Sequence, residues 1–166
     1  EHIEDGCVRQ YIGDRDFSVQ VKVNKGRTSY MNPFRRLGCK YLQVKSAAPI
    51  KINAIQIVPT MHPVSEKEPP SLTKKEQEIY DISLRTLRLC MHEHYEDCPW
   101  REQALYTMDS RNQMLCGYYI FGEYEYPRAN LELIANDSRE DGLLSICFPM
   151  PEGLAIPSYS LYYYIS

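Results

Sequence analysis

No apolar run in the 166 residues comes near the length that a membrane-spanning helix needs. No membrane partner is therefore expected. Basic charge is not in excess either: 19 Lys and Arg stand against 22 Asp and Glu, giving a net charge of −3 and a pI near 5.8. Phosphate binding wants a concentrated basic face, so nucleic acid is not an expected partner, and Arg35-Arg36 and Lys74-Lys75 read as solvated surface. The six cysteines (Cys7, Cys39, Cys90, Cys98, Cys116 and Cys147) contain no CxxC pair and no zinc-like spacing. They are expected to be reduced, most of them acting as small buried hydrophobes. "HEHYE" at residues 92–96 is not HExxH, because His92 and His94 are two apart and fall on opposite sides of a helix. They read as helix-end histidines near a negative C-terminus, and His62 reads as solvent-facing. There is no phosphate loop, nucleophilic triad or internal repeat, and no cofactor is implied. The chain starts at Glu1 with neither a Met nor a signal peptide, which suggests a processed chain or a piece. Cytoplasm, periplasm and secretion all stay open. Asn136-Asp137-Ser138 fits a glycosylation sequon, which matters only in a secreted eukaryotic protein.

What is present is an ordinary globular composition, 43% apolar and 25% charged, enough for one domain or two small ones. Fourteen tyrosines are many for this length. Only Tyr11, Tyr30 and Tyr41 precede residue 71. Tyrosine suits half-wet grooves and sugar-lined clefts, but most of these are expected to fill a helical core with their hydroxyls at its edge.

The hydrophobic period changes along the chain. "FSVQVKV" (17–23) alternates strictly, as a half-buried strand does, and "CKYLQVKS" (39–46) and "IKINAIQIV" (50–58) read as two more. A phase break at Asn53-Ala54 suggests a bulge. Residues 1–60 thus read as antiparallel β-sandwich strands. Residues 61–70 hold several prolines and charges and read as a linker. Residues 71–166 are helical in period. Thr73 and Glu76 fit a capping box, and Tyr80, Leu84, Leu87 and Met91 form one apolar stripe. Ile79, Ile82 and Leu89 make a second stripe, which predicts a helix buried on more than one side. Pro99 predicts a second helix to about Cys116, with Gly117 as its stop. Pro127 predicts a third helix to about Ala135. "LLSICFP" (143–149) reads as a strand or buried loop, and Pro157 opens a last helix.

The densest chemistry lies in "YEDCPWREQALYTMD" (95–109), where several acids surround Trp100, the single tryptophan. A helix over 101–109 would put Glu102, Tyr106 and Asp109 on one face, with Asp97 just before it. Glycoside hydrolysis asks for such a group: one carboxylic acid protonates the leaving oxygen and a second carboxylate activates water. Other acids bind sugar hydroxyls, Trp100 offers a face to the ring, and Arg101 can hold a neighbouring acid ionised while burial raises the pKa of Glu102. A plainer reading stands beside it and, on spacing alone, ahead of it. Asp97 is a good N-cap, acids in a first turn favour the helix dipole, and Trp100 can pack between helices.

"HEHYEDCPWREQALYTMDSRNQ" (92–113) resembles the start of the catalytic domain of bacterial α-L-rhamnosidases, glycoside hydrolase family 78. The family pattern is Asp-Cys-Pro, a variable residue, Arg-Glu, and an acid seven residues after the Glu. Asp97, Cys98, Pro99, Trp100, Arg101, Glu102 and Asp109 keep every spacing. "FRRLGCKYLQV" (34–44) and "INAIQIVPTMHPV" (52–64) resemble the strands that precede that domain. The resemblance implies a multidomain all-β plus all-α chain, with sandwich strands followed by the first helices of an (α/α)6 barrel left incomplete here. It implies hydrolysis of terminal α-L-rhamnosides with inversion, Glu102 as general acid, Asp97 and Asp109 on the sugar hydroxyls, Arg101 beside them, and no metal. The partners implied are a rhamnosyl glycoside and the remainder of a parent chain. Two departures touch the pocket wall: Leu105-Tyr106-Thr107-Met108 replaces Gly-Trp-Thr-Gly, and Trp100 stands where Gln is frequent. They leave room for a related sugar. The family's general base falls beyond Ser166, so the 166-residue chain alone is expected to be inactive. Two other readings compete: a non-catalytic carbohydrate-binding protein using the same residues, and acids that only cap helices.

Overall fold

The structure, a computed structural model, describes residues 3–137, 139–150 and 153–166. The sequon at 136–138 therefore lies partly outside the described residues. The chain divides into two compact units, Glu1–Pro59 and Thr60–Ser166.

The first unit opens with two hairpins. β1 (Ile3–Glu4) pairs antiparallel with β2 (Cys7–Val8), and β3 (Tyr11–Ile12) pairs with β4 (Arg15–Asp16). Asp5 and Gly6 both take positive φ, 49° and 74°, the left-handed pair that a tight two-residue hairpin turn requires. From residue 17 to 59 no strand occurs among the described residues, which corrects the three strands expected at 17–23, 39–46 and 50–58. Val21, Val23, Val44, Ile50, Ile52, Ile55 and Ile57 are each at least 40% exposed. Alternation gives a segment an apolar face, but a ladder also needs a neighbouring strand in register. Side chains supply the local order instead. Arg35 donates to the carbonyls of Ser18 (2.9 Å) and Asp16 (2.6 Å), and the Asp16 carboxylate accepts from the Ser18 N–H (2.7 Å).

The second unit is helical. α1 (Lys74–Leu89) begins at the expected capping box: the Thr73 hydroxyl accepts from the Glu76 N–H, and the Glu76 carboxylate accepts from the Thr73 N–H at 2.8 Å. Such a cap is worth about 1 kcal/mol. The first stripe is buried at Leu84, Leu87 and Met91, but Ile79 and Ile82 are 57% and 68% exposed. α1 therefore buries one face, not the two expected. The proline-rich segment is bonded to this unit and does not run as a free linker. The His62 N–H donates to the Met91 carbonyl and the Lys67 N–H to the Ile120 carbonyl, both at 2.8 Å. The His62 ring stacks on Tyr126 with centroids 3.9 Å apart, so His62 is not the solvent-facing residue expected.

β5 (Leu105–Tyr106) pairs antiparallel with β6 (Cys147–Phe148), where the sequence suggested a strand or buried loop. α2 (Thr107–Ile120) buries Thr107, Ser110, Met114 and Gly117, a narrow face of mostly small residues. α4 (Pro157–Tyr163), with Pro157 in its first turn as expected, packs against α2. Gly117 does not stop α2; Gly122, at φ +64°, follows its C-terminal cap. α3 (Glu125–Ala135) starts two residues before Pro127 because the Glu123 carboxylate accepts from the N–H groups of Glu125 and Tyr126. The core joins Leu84, Leu87, Met91, Tyr95, Leu105, Met114, Phe121, Tyr126, Ile134 and Leu144. None of the helices among the described residues is long and apolar enough to cross a membrane. All six cysteines are free, but Cys90 is the buried one, and Cys7, Cys39 and Cys116 are exposed.

Candidate functional site: an acidic loop clasped between helices

The stem of the site is fixed before the acids begin. Met91 and Tyr95 form an antiparallel bridge, and the Tyr95 N–H donates to Asn130 Oδ1 at 2.8 Å. Glu96 is fully buried, with its carboxylate 3.1 Å from His92 Nδ1 and its carbonyl accepting from Gln113 at 2.7 Å. Glu96 and His92 are thus structural groups beneath the loop.

The expected helix from Pro99 does not form; helix begins at Thr107. Residues 97–104 make a closed loop. The Asp97 N–H donates to the Ala104 carbonyl, and the Ala104 N–H donates to Asp97 Oδ1, both at 3.0 Å. Gln103 lies at φ +52° and its amide donates to the Pro99 carbonyl at 3.0 Å. Tertiary closure overrides the helix-start signal of proline. Asp97 consequently bonds the loop's own backbone and caps no helix; the residue at the start of α2 is Tyr106, without a side-chain cap.

The loop still gathers the acids. One ligand-type atom each from Asp97, Cys98 and Glu102 lie within 4.8 Å of one another. These atoms are engaged within the loop: Ala104 donates to Asp97, the Cys98 thiol donates to Glu102 Oε2 at 3.2 Å, and Arg101 pairs with Glu102 Oε1. A cation would have to displace the Arg101 guanidinium, so the set reads as an internally bonded turn. Asp109 lies in the first turn of α2, close enough to feel the charge of Asp97. Burial raises the Tyr106 pKa, helped by the charges of Cys147, Asp97, Glu102 and Asp109. Trp100 is half-buried in the same turn.

Electrostatics separate the acids. The Arg101 hydrogen bond holds Glu102 at a pKa of about 2, assisted by the Cys98 thiol and opposed by burial. That is the reverse of the raised value expected for Glu102. With a folded pKa below its unfolded one, Glu102 adds stability above the ordinary carboxylate range near pH 4.5, and this is lost as pH falls toward 2. Arg101→Met should flatten that acid limb in urea titrations at pH 2–5; an unchanged limb would count against the pair.

Asp109 is the opposite case. Burial, then the charge of Asp97, raises its pKa although it sits in a helix's first turn, where the dipole favours a charge. Burial wins. A raised folded pKa means that stability falls as pH rises through it, so Asp109→Asn should raise the melting temperature at pH 7. The gain should vanish below the ordinary range near pH 3.8, where the native carboxyl is also neutral. Equal melting temperatures at pH 7 would remove the burial argument.

Sequence reasoning assigned no role to the Cys98 thiol, the Ala104 clasp or Gln103. Gln103 had no local signal, because left-handed positions usually announce themselves by Gly or Asn. Tyr159 of α4 was also missed; burial, then the charge of Asp109, raises its pKa, which brings α4 to the edge of the site.

A family profile described as the bacterial alpha-L-rhamnosidase six-hairpin glycosidase domain matches residues 73–160, more than half of the chain. The chain belongs to that family. Among solved structures it is similar to a glycoside hydrolase family 78 rhamnosidase of Bacillus sp. GL1, at 31% identity and a TM-score of 0.59. That match covers 63% of this chain and 11% of the other. A rhamnosidase from Klebsiella oxytoca with rhamnose bound is 33% identical, with a TM-score of 0.48, over 57% of this chain and 20% of that one. The chain thus spans about a tenth and a fifth of these two proteins. No curated protein sequence matches.

Proposed function

We propose that this chain is the acid-bearing part of an inverting glycoside hydrolase that cleaves terminal α-L-rhamnosides or a closely related sugar. Glu102 is the general acid, Asp97 and Asp109 bind sugar hydroxyls, and Trp100 and Arg101 line the same pocket. In the parent protein, α1 to α4 are the first helices of an (α/α)6 barrel. The general base belongs to a later part of that barrel, about 6.5–9.5 Å from Glu102 so that water fits between. The 166-residue chain alone is therefore inactive. The observation that carries this reading is the convergence of Asp97 and Glu102 in one clasped loop within a rhamnosidase-family domain.

The low pKa of Glu102 has to be reconciled with acid work. A general acid must hold a proton, and Arg101 keeps Glu102 ionised. Arg101 is 54% exposed, so a sugar hydroxyl can compete for its guanidinium; Glu102, at 19%, would then feel mainly the burial that pushes its pKa upward. Substrate binding is thus the step that arms the acid. The same observation favours a second reading, a carbohydrate-binding protein whose carboxylates stay ionised and hydrogen-bonded. Rhamnoside hydrolysis by the parent protein, with Glu102→Gln as control, separates the two. Rhamnose binding without turnover would replace the first reading by the second.

A further inference from the structure

The two oxygens of Glu102 are not equivalent. Oε1 faces Arg101, which is half in solvent, while Oε2 accepts from the Cys98 thiol at 3.2 Å inside the loop. Cys98 and Glu102 are four residues apart within a loop whose ends are bonded at Asp97 and Ala104, which keeps their backbones close enough for the thiol to reach the carboxylate. An oxygen that already accepts a hydrogen bond is less basic, so a carboxyl with a donor on one oxygen only takes up its proton on the other.

We propose that Cys98 is a positioning residue for Glu102: its S–H holds Oε2, so that the proton Glu102 delivers is carried on Oε1, the oxygen that Arg101 vacates. The inference rests on the reading of Glu102 as general acid. The proton passes from Oε1 to the leaving glycosidic oxygen, the carboxylate remains on Glu102, and Cys98 keeps its own hydrogen throughout. The thiol is therefore neither nucleophile nor acid. It fixes one rotamer and one protonation site. Other groups that act on the carboxyl are Arg101 and the backbone N–H of Glu102 itself. Asp97 acts on Arg101, and the charges of Asp97, Asp109 and Cys147 reach Tyr106 of β5. The pairing also gives the cysteine of the Asp-Cys-Pro sequence a role that an alanine could not fill.

The test is a carbon-detected titration of the Glu102 carboxyl in the 166-residue chain. Cys98→Ala should raise its pKa by about 0.5 to 1 pH unit, the value of one lost hydrogen bond to the charged form, and Cys98→Ser should restore it because the hydroxyl donates in the same place. If Cys98→Ala does not fold, Cys98→Val, which fills the thiol's space but has no donor, should give the same rise. Identical titrations in wild type and in the form lacking the donor would overturn the proposal, whatever the parent's activity. In the parent protein, the alkaline limb of kcat/KM should move up with the titration and return with Cys98→Ser. A titration shift with an unmoved limb would keep the Cys98–Glu102 bond, overturn Glu102 as the acid, and with it the proton-carrying role claimed for Oε1.

Discussion

Glu102→Gln should lower the parent protein's turnover of an alkyl α-L-rhamnoside by about 10²- to 10⁴-fold, the usual contribution of a positioned general acid. Glutamine keeps the size of the side chain and one oxygen acceptor but has no acidic proton to give. The loss should depend on the leaving group. An alkoxide departs badly without a proton, whereas p-nitrophenolate is stable at neutral pH and needs little help. Release of p-nitrophenol from p-nitrophenyl α-L-rhamnoside should therefore fall much less than hydrolysis of the alkyl rhamnoside in the same variant. That difference distinguishes a lost acid from a lost sugar contact, which would depress both substrates alike. The 166-residue chain should hydrolyse neither. Equal losses on the two substrates would move Glu102 from acid to binding group, and hydrolysis by the chain alone would show that it contains its own base.

The second large effect is structural and lies beneath the loop. Asn130→Ala should destabilise the helical unit by about 2–4 kcal/mol, a sum of one orphaned buried N–H and a small void. Asn130 is fully buried on α3; its Oδ1 takes the Tyr95 N–H and its amide donates to the Tyr126 carbonyl at 2.7 Å. It thus ties α3 to the turn from which the acidic loop springs, and it holds two core aromatics whose rings meet edge to face at 4.6 Å. Alanine leaves the Tyr95 N–H without an acceptor in a place water does not reach. Thermal unfolding followed by circular dichroism should show a fall in Tm of about 10–25 °C for a unit of this size. Asn130→Asp is the informative companion, because it keeps the acceptor for Tyr95 and buries a charge instead. A fall of only 1–2 °C in the alanine variant would mean that Tyr95 finds another acceptor and that the stem is less rigid than its burial suggests.

How much of this was legible in the sequence follows from how local each feature is. The start of α1 was, because Thr73 and Glu76 satisfy one another within four residues. So was α4, announced by Pro157. The family's spacing singled out Asp97, Glu102 and Asp109 as candidates, but not the geometry that brings Asp97 and Glu102 together. Glu102 was expected on a helix with Asp109, but only Asp109 is helical and Glu102 lies in a loop, because the bonds that close residues 97–104 join positions seven apart and no propensity encodes such a pair. β5 and β6 are two residues each, too short for any period to register. The proline-rich segment misled for a related reason. Its composition speaks of poor helix and strand formation, while its bonds to Met91 and Ile120 are made with partners roughly thirty and fifty residues away. Strand alternation in residues 17–58 was read correctly as a pattern, but a pattern on one segment does not supply the neighbour that turns it into a sheet.

The clasp between Asp97 and Ala104 separates inheritance of the scaffold from inheritance of taste. Closure depends on two backbone groups, one carboxylate and the alanine N–H, none of which involves the side chain at position 100. On the proposed reading of Trp100 as a sugar contact, a single codon change there alters which sugar face is welcomed without removing either clasp bond. A lineage could sample new glycosides there one substitution at a time, and a designer could do so with a library confined to one residue.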